Sequence, residues 1–347
     1  MRAAICFSLL ACLVAAAPAG AATVSSDGSF MHVTAAPGEQ NAITIFPEGE
    51  QIAVADAGAP LVPGPGCLPA LTLDRVTCTP AASVNVSAGD LDDSVEVYTE
   101  LPARVVGGDG DDQLSSGPGA DVLDGGRGDD TTDAGAGNDS IIVRDRKADT
   151  AYCGDGRDKV RAEVLDSLDF SCERVDYGPP GRIGRLRSLY GGGRFVPIPG
   201  QNGARIDRRI LKSVLYLIRR YRVRIGDGYA MHGHSRAGEH PLGLAVDITP
   251  GPGGGWRQVD RVAKWAEPRQ NRPRPPFRWV GYNGDYNHGR GNHLHLSWQH
   301  SPGRPGRPVR RVWTWVVKRG NAAAASLAGP PMRRPPGYPA PSATPDF

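Results

Sequence analysis

Hydrophobic residues alternate with polar ones in short runs through the N-terminal part of the chain. The runs 30–33, 42–45, 83–86 and 95–98 have this two-residue period, and glycine- and proline-rich stretches separate them. A two-residue period puts successive side chains on opposite faces of a strand, and no helical period is present. The pattern predicts all-β structure, beginning with a β-rich N-terminal region over residues 23–83.

The pattern becomes helical in the C-terminal half. Apolar residues recur every three or four positions in two segments, which predicts two amphipathic helices, and two further segments alternate like strands. The predicted helices cover 207–221 and 259–265, and the predicted strands cover 278–282 and 293–298. This mixture predicts a separate α+β domain over 192–317, after a Gly-, Pro- and Arg-rich linker at 177–191. A Pro/Ala-rich tail at 318–347 lacks periodicity, and we expect it to be disordered.

A nine-residue repeat lies between these two regions. Its four consecutive copies begin at Gly107, Ser116, Gly125 and Ala134. Glycine permits tight backbone turns, and carboxylate and carbonyl oxygens are the ligands that calcium prefers. The sixth-position carboxylates are Asp112, Asp121, Asp130 and Asp139, and the apolar residues expected to form a thin core are Leu114, Val122, Leu123 and Ile141. The repeat predicts several calcium ions held between successive turns, with a weak turn at Thr132.

These copies resemble the hemolysin-type (RTX) calcium-binding repeats. The resemblance covers residues 84–160, including degenerate copies around Asp93 and Asp158. It implies a parallel β-roll over 84–176, and we expect the segment 153–172 to cap this roll. The implied calcium ligands are Asp109, Asp112, Asp121, Asp130 and Asp139. Because carboxylates gathered in a thin core repel one another, we expect calcium binding to be coupled to folding. A flexible acidic linker is the alternative.

The first residues and the cysteines indicate export. A positive start, an apolar run and small residues predict a signal peptide over 1–22, and Cys12 keeps open a lipoprotein alternative. The remaining cysteines are Cys67, Cys78, Cys153 and Cys172. Their short separations favour Cys67–Cys78 and Cys153–Cys172 disulfides, although spacing leaves the other pairings open. We expect a secreted, extracellular or cell-wall-associated protein.

Charge divides the chain into two parts of opposite sign. Residues 90–149 contain sixteen acidic and five basic residues, whereas residues 180–347 contain eight acidic and twenty-nine basic ones. The acidic part suits divalent cations, and the basic part suits an anionic wall polymer or simply supports solubility. We expect no nucleic-acid partner, and no stretch after the signal is apolar enough to span a membrane.

Histidines are concentrated in the C-terminal domain. Seven of the eight lie between residues 232 and 300. His240 and Asp247 are followed by the pair His293 and His295, which share one face of a strand by their spacing. Two histidines and one aspartate leave a fourth tetrahedral position for water, which is the open geometry of catalytic zinc.

The spacing of these residues resembles that of the lysostaphin, D-Ala-D-Ala carboxypeptidase and hedgehog group of zinc domains. The segment 243–248 matches that group's Gly-x-Ala-x-Asp strand, and His234 matches an additional histidine of the hedgehog branch. The resemblance covers residues 192–315. It implies one zinc ion on His240, Asp247 and His295, and a catalytic or oxyanion-stabilising role for His293.

The chain departs from this group at the general base. Glutamates of the carboxypeptidase and hedgehog branches correspond to Asn292 and Gly289. Proton transfer would therefore fall to His293, with help from His288 or Asp285. The resulting expectation is a secreted zinc metallopeptidase that hydrolyses peptidoglycan stem or cross-bridge peptides. The alternative is a non-catalytic, calcium-dependent cell-wall binding or adhesion protein with a zinc-binding, hedgehog-like domain.

Overall fold

The computed structural model describes residues 20–71, 74–201, 203–231, 238–270, 276–282 and 293–318. The N-terminal region consists of short strands, as the alternating pattern predicts. Its strands are β1 (Ala22–Ser26), β2 (Phe30–Thr34), β3 (Ala42–Glu48), β4 (Gln51–Asp56), β5 (Leu61–Pro63), β6 (Cys67–Pro69) and β7 (Arg75–Cys78).

A series of shorter strands follows through the repeat region. These strands are β8 (Ser83–Asp90), β9 (Ser94–Val97), β10 (Ala103–Asp109), β11 (Gln113–Ser115), β12 (Val122–Arg127), β13 (Thr131–Asp133), β14 (Ala136–Gly137), β15 (Ser140–Ile142), β16 (Thr150–Tyr152), β17 (Asp155–Gly156), β18 (Lys159–Arg161), β19 (Ser167–Leu168) and β20 (Arg174–Asp176). From β8 onward, pairing between successive coils is parallel, so the chain winds as a β-solenoid.

Two nine-stranded sheets enclose the core of this solenoid. One sheet has the order β20-β18-β15-β12-β10-β8-β2-β1-β5, and the other has the order β19-β16-β13-β11-β9-β3-β4-β7-β6. The N-terminal strands thus extend both sheets, and their apolar side chains join the same core cluster. The predicted division at 83/84 does not separate two cores, because β2 and β3 pair with the strand edges that the first coil would otherwise leave open.

Register stacks apolar side chains of successive coils on one another. Val105 pairs with Leu123, and Leu123 pairs with Ile141, a step of eighteen residues that equals two nine-residue repeats. These side chains are fully buried and stack along the core, whereas Val122, which we predicted to be inward, is only half-buried. Thr132 occupies the matching position of the other sheet and is buried with no hydrogen-bond partner for its hydroxyl.

The segment 153–172, predicted as a cap, continues the solenoid instead. Within this segment β18 adds to one sheet and β19 adds to the other, and β20, which follows the segment, pairs with β18; all three pairings are parallel. Both expected disulfides are present, Cys67–Cys78 between the paired strands β6 and β7, and Cys153–Cys172 across the last coils.

The described residues of the C-terminal part form short strands and two α-helices. They are β21 (Arg182–Tyr190), β22 (Phe195–Pro197), β23 (Arg205–Asp207), α1 (Leu211–Tyr221), β24 (Val223–Asp227), β25 (Ala245–Pro250), α2 (Trp256–Ala266), β26 (Phe277–Tyr282), β27 (Leu294–Trp298) and β28 (Arg311–Lys318). The order β24-β25-β27-β26 forms an antiparallel sheet. This is the predicted mixture of helices and strands, around a second apolar core.

Two boundaries differ from the sequence prediction. The linker predicted at 177–191 contains β21, which pairs along its length with β28, because its Ile and Leu residues alternate with arginines and half-bury against that strand. Helix α1 begins at Leu211 rather than at residue 207, because Asp207 belongs to β23 and accepts hydrogen bonds from Arg209.

Candidate metal sites

A row of buried aspartates runs along one edge of the roll. The backbone N–H of Asp93 donates to Asp112 Oδ1 at 2.9 Å, that of Asp112 donates to Asp130 Oδ1 at 3.0 Å, and that of Asp130 donates to Asp149 Oδ1 at 2.9 Å. Each carboxylate therefore links its own coil to the preceding one. The four side chains are between 1% and 3% exposed.

A second row lies on the opposite edge, displaced by half a coil. The N–H groups of Ala103, Asp121 and Asp139 donate to the Oδ1 atoms of Asp121, Asp139 and Asp158 at 2.7, 2.8 and 2.8 Å. Successive nine-residue repeats thus contribute their aspartates to the two rows in turn, so that neighbouring aspartates of one row come from every second repeat.

The other oxygen of each carboxylate is buried and has no hydrogen-bond partner. Burial raises the pKa of Asp130 and Asp139 to about 6, and the pKa of Asp112 and Asp149 to about 7. A buried oxygen without a partner is costly unless a proton or a cation satisfies it.

Glycine brings backbone carbonyls close to these oxygens. A Cβ on Gly107 would lie 2.2 Å from Asp112 Oδ2 and 2.5 Å from the carbonyl oxygen of Gly125 in the next coil. Any side chain at Gly107 would collide with both oxygens. Carboxylate and carbonyl oxygens thus converge in the turns, which is the all-oxygen ligand set of calcium.

The structure separates one predicted ligand from the others. Asp109 is exposed and lies 3.5 Å from Arg127 in a surface ion pair, outside both buried rows. Sequence reasoning missed Asp149 and Asp166, because coils of irregular length put them outside the nine-residue register. Ser167 N–H donates to the Asp149 carbonyl, just as Thr150 N–H donates to the Asp130 carbonyl, so the backbone position of Asp166 continues the first row. The Asp166 carboxylate is bonded differently, because its Oδ2 accepts from Glu163 N–H and its Oδ1 is the buried oxygen without a partner.

Residues 106–141 match the RTX calcium-binding nonapeptide repeat in four copies. A search of the curated proteins found no match for the chain. Together with the solenoid, the RTX match supports calcium binding in the roll. RTX repeats are typical of secreted proteins, and the two disulfides fit an oxidising, extracellular environment. Neither described helix has the length and apolar character needed to cross a bilayer.

A second group of potential metal ligands lies in the C-terminal sheet. Asp247 on β25 and His295 on β27 are direct partners in the antiparallel ladder, so their side chains emerge side by side. His240 approaches from a single 3-10 turn that ends at Gly243, whose positive φ of 65° turns the chain into β25. A Cβ at Gly243 would also lie 2.8 Å from the ring of Phe195, which favours glycine there.

The three donor atoms form a close triangle. His240 Nε2 lies 3.3 Å from Asp247 Oδ1 and 3.2 Å from His295 Nδ1, and the latter two atoms are 3.0 Å apart. Ligands at 2.0–2.1 Å from a tetrahedral zinc ion are about 3.3 Å from one another, so the triangle has the size of one tetrahedral face.

Hydrogen bonding fixes the ring of His240. Its Nδ1 donates to the carbonyl oxygen of Gly228, which directs Nε2 at Asp247 and His295. In the neutral ring Nε2 has the lone pair that a metal ion would use, and in the protonated ring it donates to Asp247. Burial lowers the pKa of His240, but the hydrogen bond and charge of Asp247 outweigh burial and raise it overall. Burial also raises the pKa of Asp247, and the hydrogen bonds with His240 and His295 outweigh it, so that this pKa is well below its usual range.

His293 lies at the edge of this group. Its Nε2 is 3.7 Å from Asp247 Oδ1, and its side chain is 32% exposed. The predicted catalytic residues His234 and His288 lie outside the described residues, as do Asp285, Gly289 and Asn292. The predicted signal peptide also lies outside them except for residues 20–22, and the predicted tail except for Lys318.

Proposed function

We propose that the chain is a secreted zinc-dependent peptidase whose calcium-binding roll stabilises it outside the cell. The observation that carries the proposal is the triangle of donor atoms on His240, Asp247 and His295, with edges of 3.0–3.3 Å. Two imidazoles and one carboxylate suit zinc, and a set of three ligands leaves a position open for water or substrate.

The chain's own residues would divide the work. His240, Asp247 and His295 would hold zinc, and the carbonyl of Gly228 would keep His240 in the tautomer that binds metal through Nε2. Zinc held there would supply a Lewis acid for a scissile carbonyl and a water molecule that ionises near neutral pH. His293, partly exposed beside Asp247, would accept a proton from that water and return it to the leaving amine.

The substrate class follows from the resemblance to the lysostaphin, D-Ala-D-Ala carboxypeptidase and hedgehog group. We propose peptidoglycan stem or cross-bridge peptides as substrates, with anionic wall polymers as contacts of the basic C-terminal part. A non-catalytic, calcium-dependent wall-binding or adhesion protein is the second candidate. The observation that favours it is the presence of Asn292 and Gly289 where two branches of that group have glutamate.

Metal analysis and a cleavage assay test the proposal together. We expect one zinc ion per purified wild-type chain, loss of that zinc in His240→Gln, and retention in His300→Gln. His300 is a suitable control because it is also a buried histidine, and its Nδ1 donates to the carbonyl of Ser301 rather than to the triangle. We expect His293→Ala to keep zinc and to lose release of amino groups from peptidoglycan fragments.

The different results separate the two candidates. Release of amines that a zinc chelator stops and added zinc restores supports the peptidase. Zinc binding and wall binding without cleavage support the second candidate. A chain without zinc in the wild type, or with equal zinc in the His240→Gln variant, contradicts the proposed metal site.

A further inference from the structure

The first aspartate row continues into the N-terminal region at Asn41. Its backbone N–H donates to Asp93 Oδ1 at 2.7 Å, as the N–H of Asp93 does to Asp112 Oδ1. The Asn41 carbonyl accepts from Ser94 N–H at 3.0 Å, as the Asp93 carbonyl accepts from Gln113 N–H at 2.8 Å. Asn41 therefore occupies the row position of the coil before Asp93, although 52 residues separate the two in sequence.

The side chain of Asn41 has a fixed orientation. Its Nδ2 donates to Asp56 Oδ2 at 2.7 Å, and because a carboxylate only accepts, the amide cannot be reversed. Its Oδ1 is consequently an acceptor, and it is buried without a partner in a residue that is 2% exposed.

Two carboxylates accompany this amide oxygen. Asp93 is 3% exposed, and its Oδ2 has no partner. Glu39 is 8% exposed; its Oε2 accepts from the backbone N–H of Ala36 at 2.9 Å, whereas its Oε1 is buried without a partner. Each of the three side chains is thus anchored through one atom and has one buried acceptor oxygen left over.

These residues line one cavity, of about 790 Å³, at the junction of the N-terminal strands and the roll. Asp92 and Asp111 line it as well, and none of the described residues around it is basic. The residues that line the cavity therefore carry four carboxylates, and three of these residues each have a buried acceptor oxygen that lacks a donor. A hard divalent cation satisfies both conditions.

We propose that Glu39, Asn41 and Asp93 form a calcium site that lies outside the four RTX copies. Its ligands would be two carboxylate oxygens and one amide oxygen, completed by backbone carbonyls or water, which is ordinary coordination for calcium. The bound ion would tie the segment around Glu39 to the first coil, where Gly38 N–H already donates to Asp90 Oδ1 at 2.7 Å. Calcium would then fasten the N-terminal strands to the roll as well as order the repeats.

Equilibrium dialysis of the full chain against calcium tests the site. The variant Glu39→Gln keeps the shape of the side chain and an acceptor for Ala36, and it removes one ligand charge. The matched control Glu50→Gln changes an exposed glutamate in the turn between β3 and β4. We expect Glu39→Gln to weaken the binding of one calcium ion per chain at least tenfold and to leave the others unchanged, and we expect Glu50→Gln to bind as the wild type does.

Hydrogen exchange gives an independent measurement in the same proteins. Calcium should slow amide exchange in residues 36–42 of the wild type and of Glu50→Gln, but not of Glu39→Gln. Identical isotherms for Glu39→Gln and wild type would overturn the site. An equal weakening of every calcium ion in Glu39→Gln would also overturn it, because Glu39 would then act on the roll as a whole rather than as the ligand of one ion.

Discussion

The buried aspartates should have opposite effects on stability with and without calcium, and Asp130 is the clearest position to test this. Asp130 is 1% exposed, its Oδ1 accepts from Asp112 N–H, and its Oδ2 is buried without a partner beside Gly125. In Asp130→Asn the side chain keeps its size and the Oδ1 acceptor, and it loses the charge.

The pKa of Asp130 determines how much Asp130→Asn should change the free energy of unfolding of the calcium-free protein. Burial raises this pKa from 3.8 to about 6, so at pH 8 the folded state must ionise a group that resists ionisation. Two pKa units correspond to about 3 kcal/mol, which we reduce to about 1–3 kcal/mol because neighbouring charges and solvent share the effect. Removing the charge should therefore stabilise the calcium-free protein at pH 8.

In the presence of calcium, Asp130→Asn should destabilise the protein instead of stabilising it. An ion between the turns makes the buried charge of Asp130 a favourable contact, whereas the amide introduced by Asp130→Asn would supply only a neutral oxygen. Weakening one site tenfold lowers the stability of the calcium-bound roll by about 1.4 kcal/mol at saturating calcium. The same substitution should thus stabilise one state of the roll and destabilise the other.

Urea unfolding at pH 8 with and without calcium measures both values. All six tryptophans lie between residues 256 and 315, so their fluorescence follows the C-terminal part, whereas far-UV circular dichroism also follows the roll. Asp129→Asn is the matched control, because Asp129 is the exposed neighbour in the same repeat. A destabilisation by Asp130→Asn of equal size in both conditions would refute the reasoning, since the carboxylate would then act only as a hydrogen-bond acceptor.

Three further predictions concern the same roll. The buried carboxylates have raised pKa values, up to about 8 for Asp166, so their contribution to calcium-free stability is full below about pH 4 and is lost as the pH rises through about 6 to 8. The calcium-free protein should therefore have a higher melting temperature at pH 5 than at pH 8, and equal melting temperatures would contradict this. Leu123→Ala should lower the free energy of unfolding in the presence of calcium by about 2–5 kcal/mol, because the Leu123 side chain is fully buried in the core of the roll. Urea titration measures this change, and Leu68→Ala, at a position that is 65% exposed, is the neutral control. Replacing Cys153 and Cys172 by alanine opens a loop with a sequence separation of 19 and should lower the free energy of unfolding by about 3 kcal/mol. Chemical reduction should lower the melting temperature of the wild type more than that of this variant.

The sequence by itself determined the parts of the protein that depend on short-range pattern. Two-residue alternation predicted the strands, and the glycine and aspartate register of four consecutive copies predicted the roll in which Asp112, Asp121, Asp130 and Asp139 are buried. Local spacing also predicted both disulfide pairs. In each case the residues that cooperate lie within one turn or two neighbouring turns, so their spacing along the chain carries the information.

Only the tertiary structure decided which distant segments share a sheet or a site. Pairing of β2 with β8 joined the N-terminal region to the roll, and pairing of β21 with β28 turned a predicted linker into a strand. Coils of irregular length brought Asp149 into the aspartate row, and a 52-residue connection brought Asn41 beside Asp93. Such contacts depend on strand register across long loops and on burial of the side chains, and neither leaves a periodic trace in the sequence.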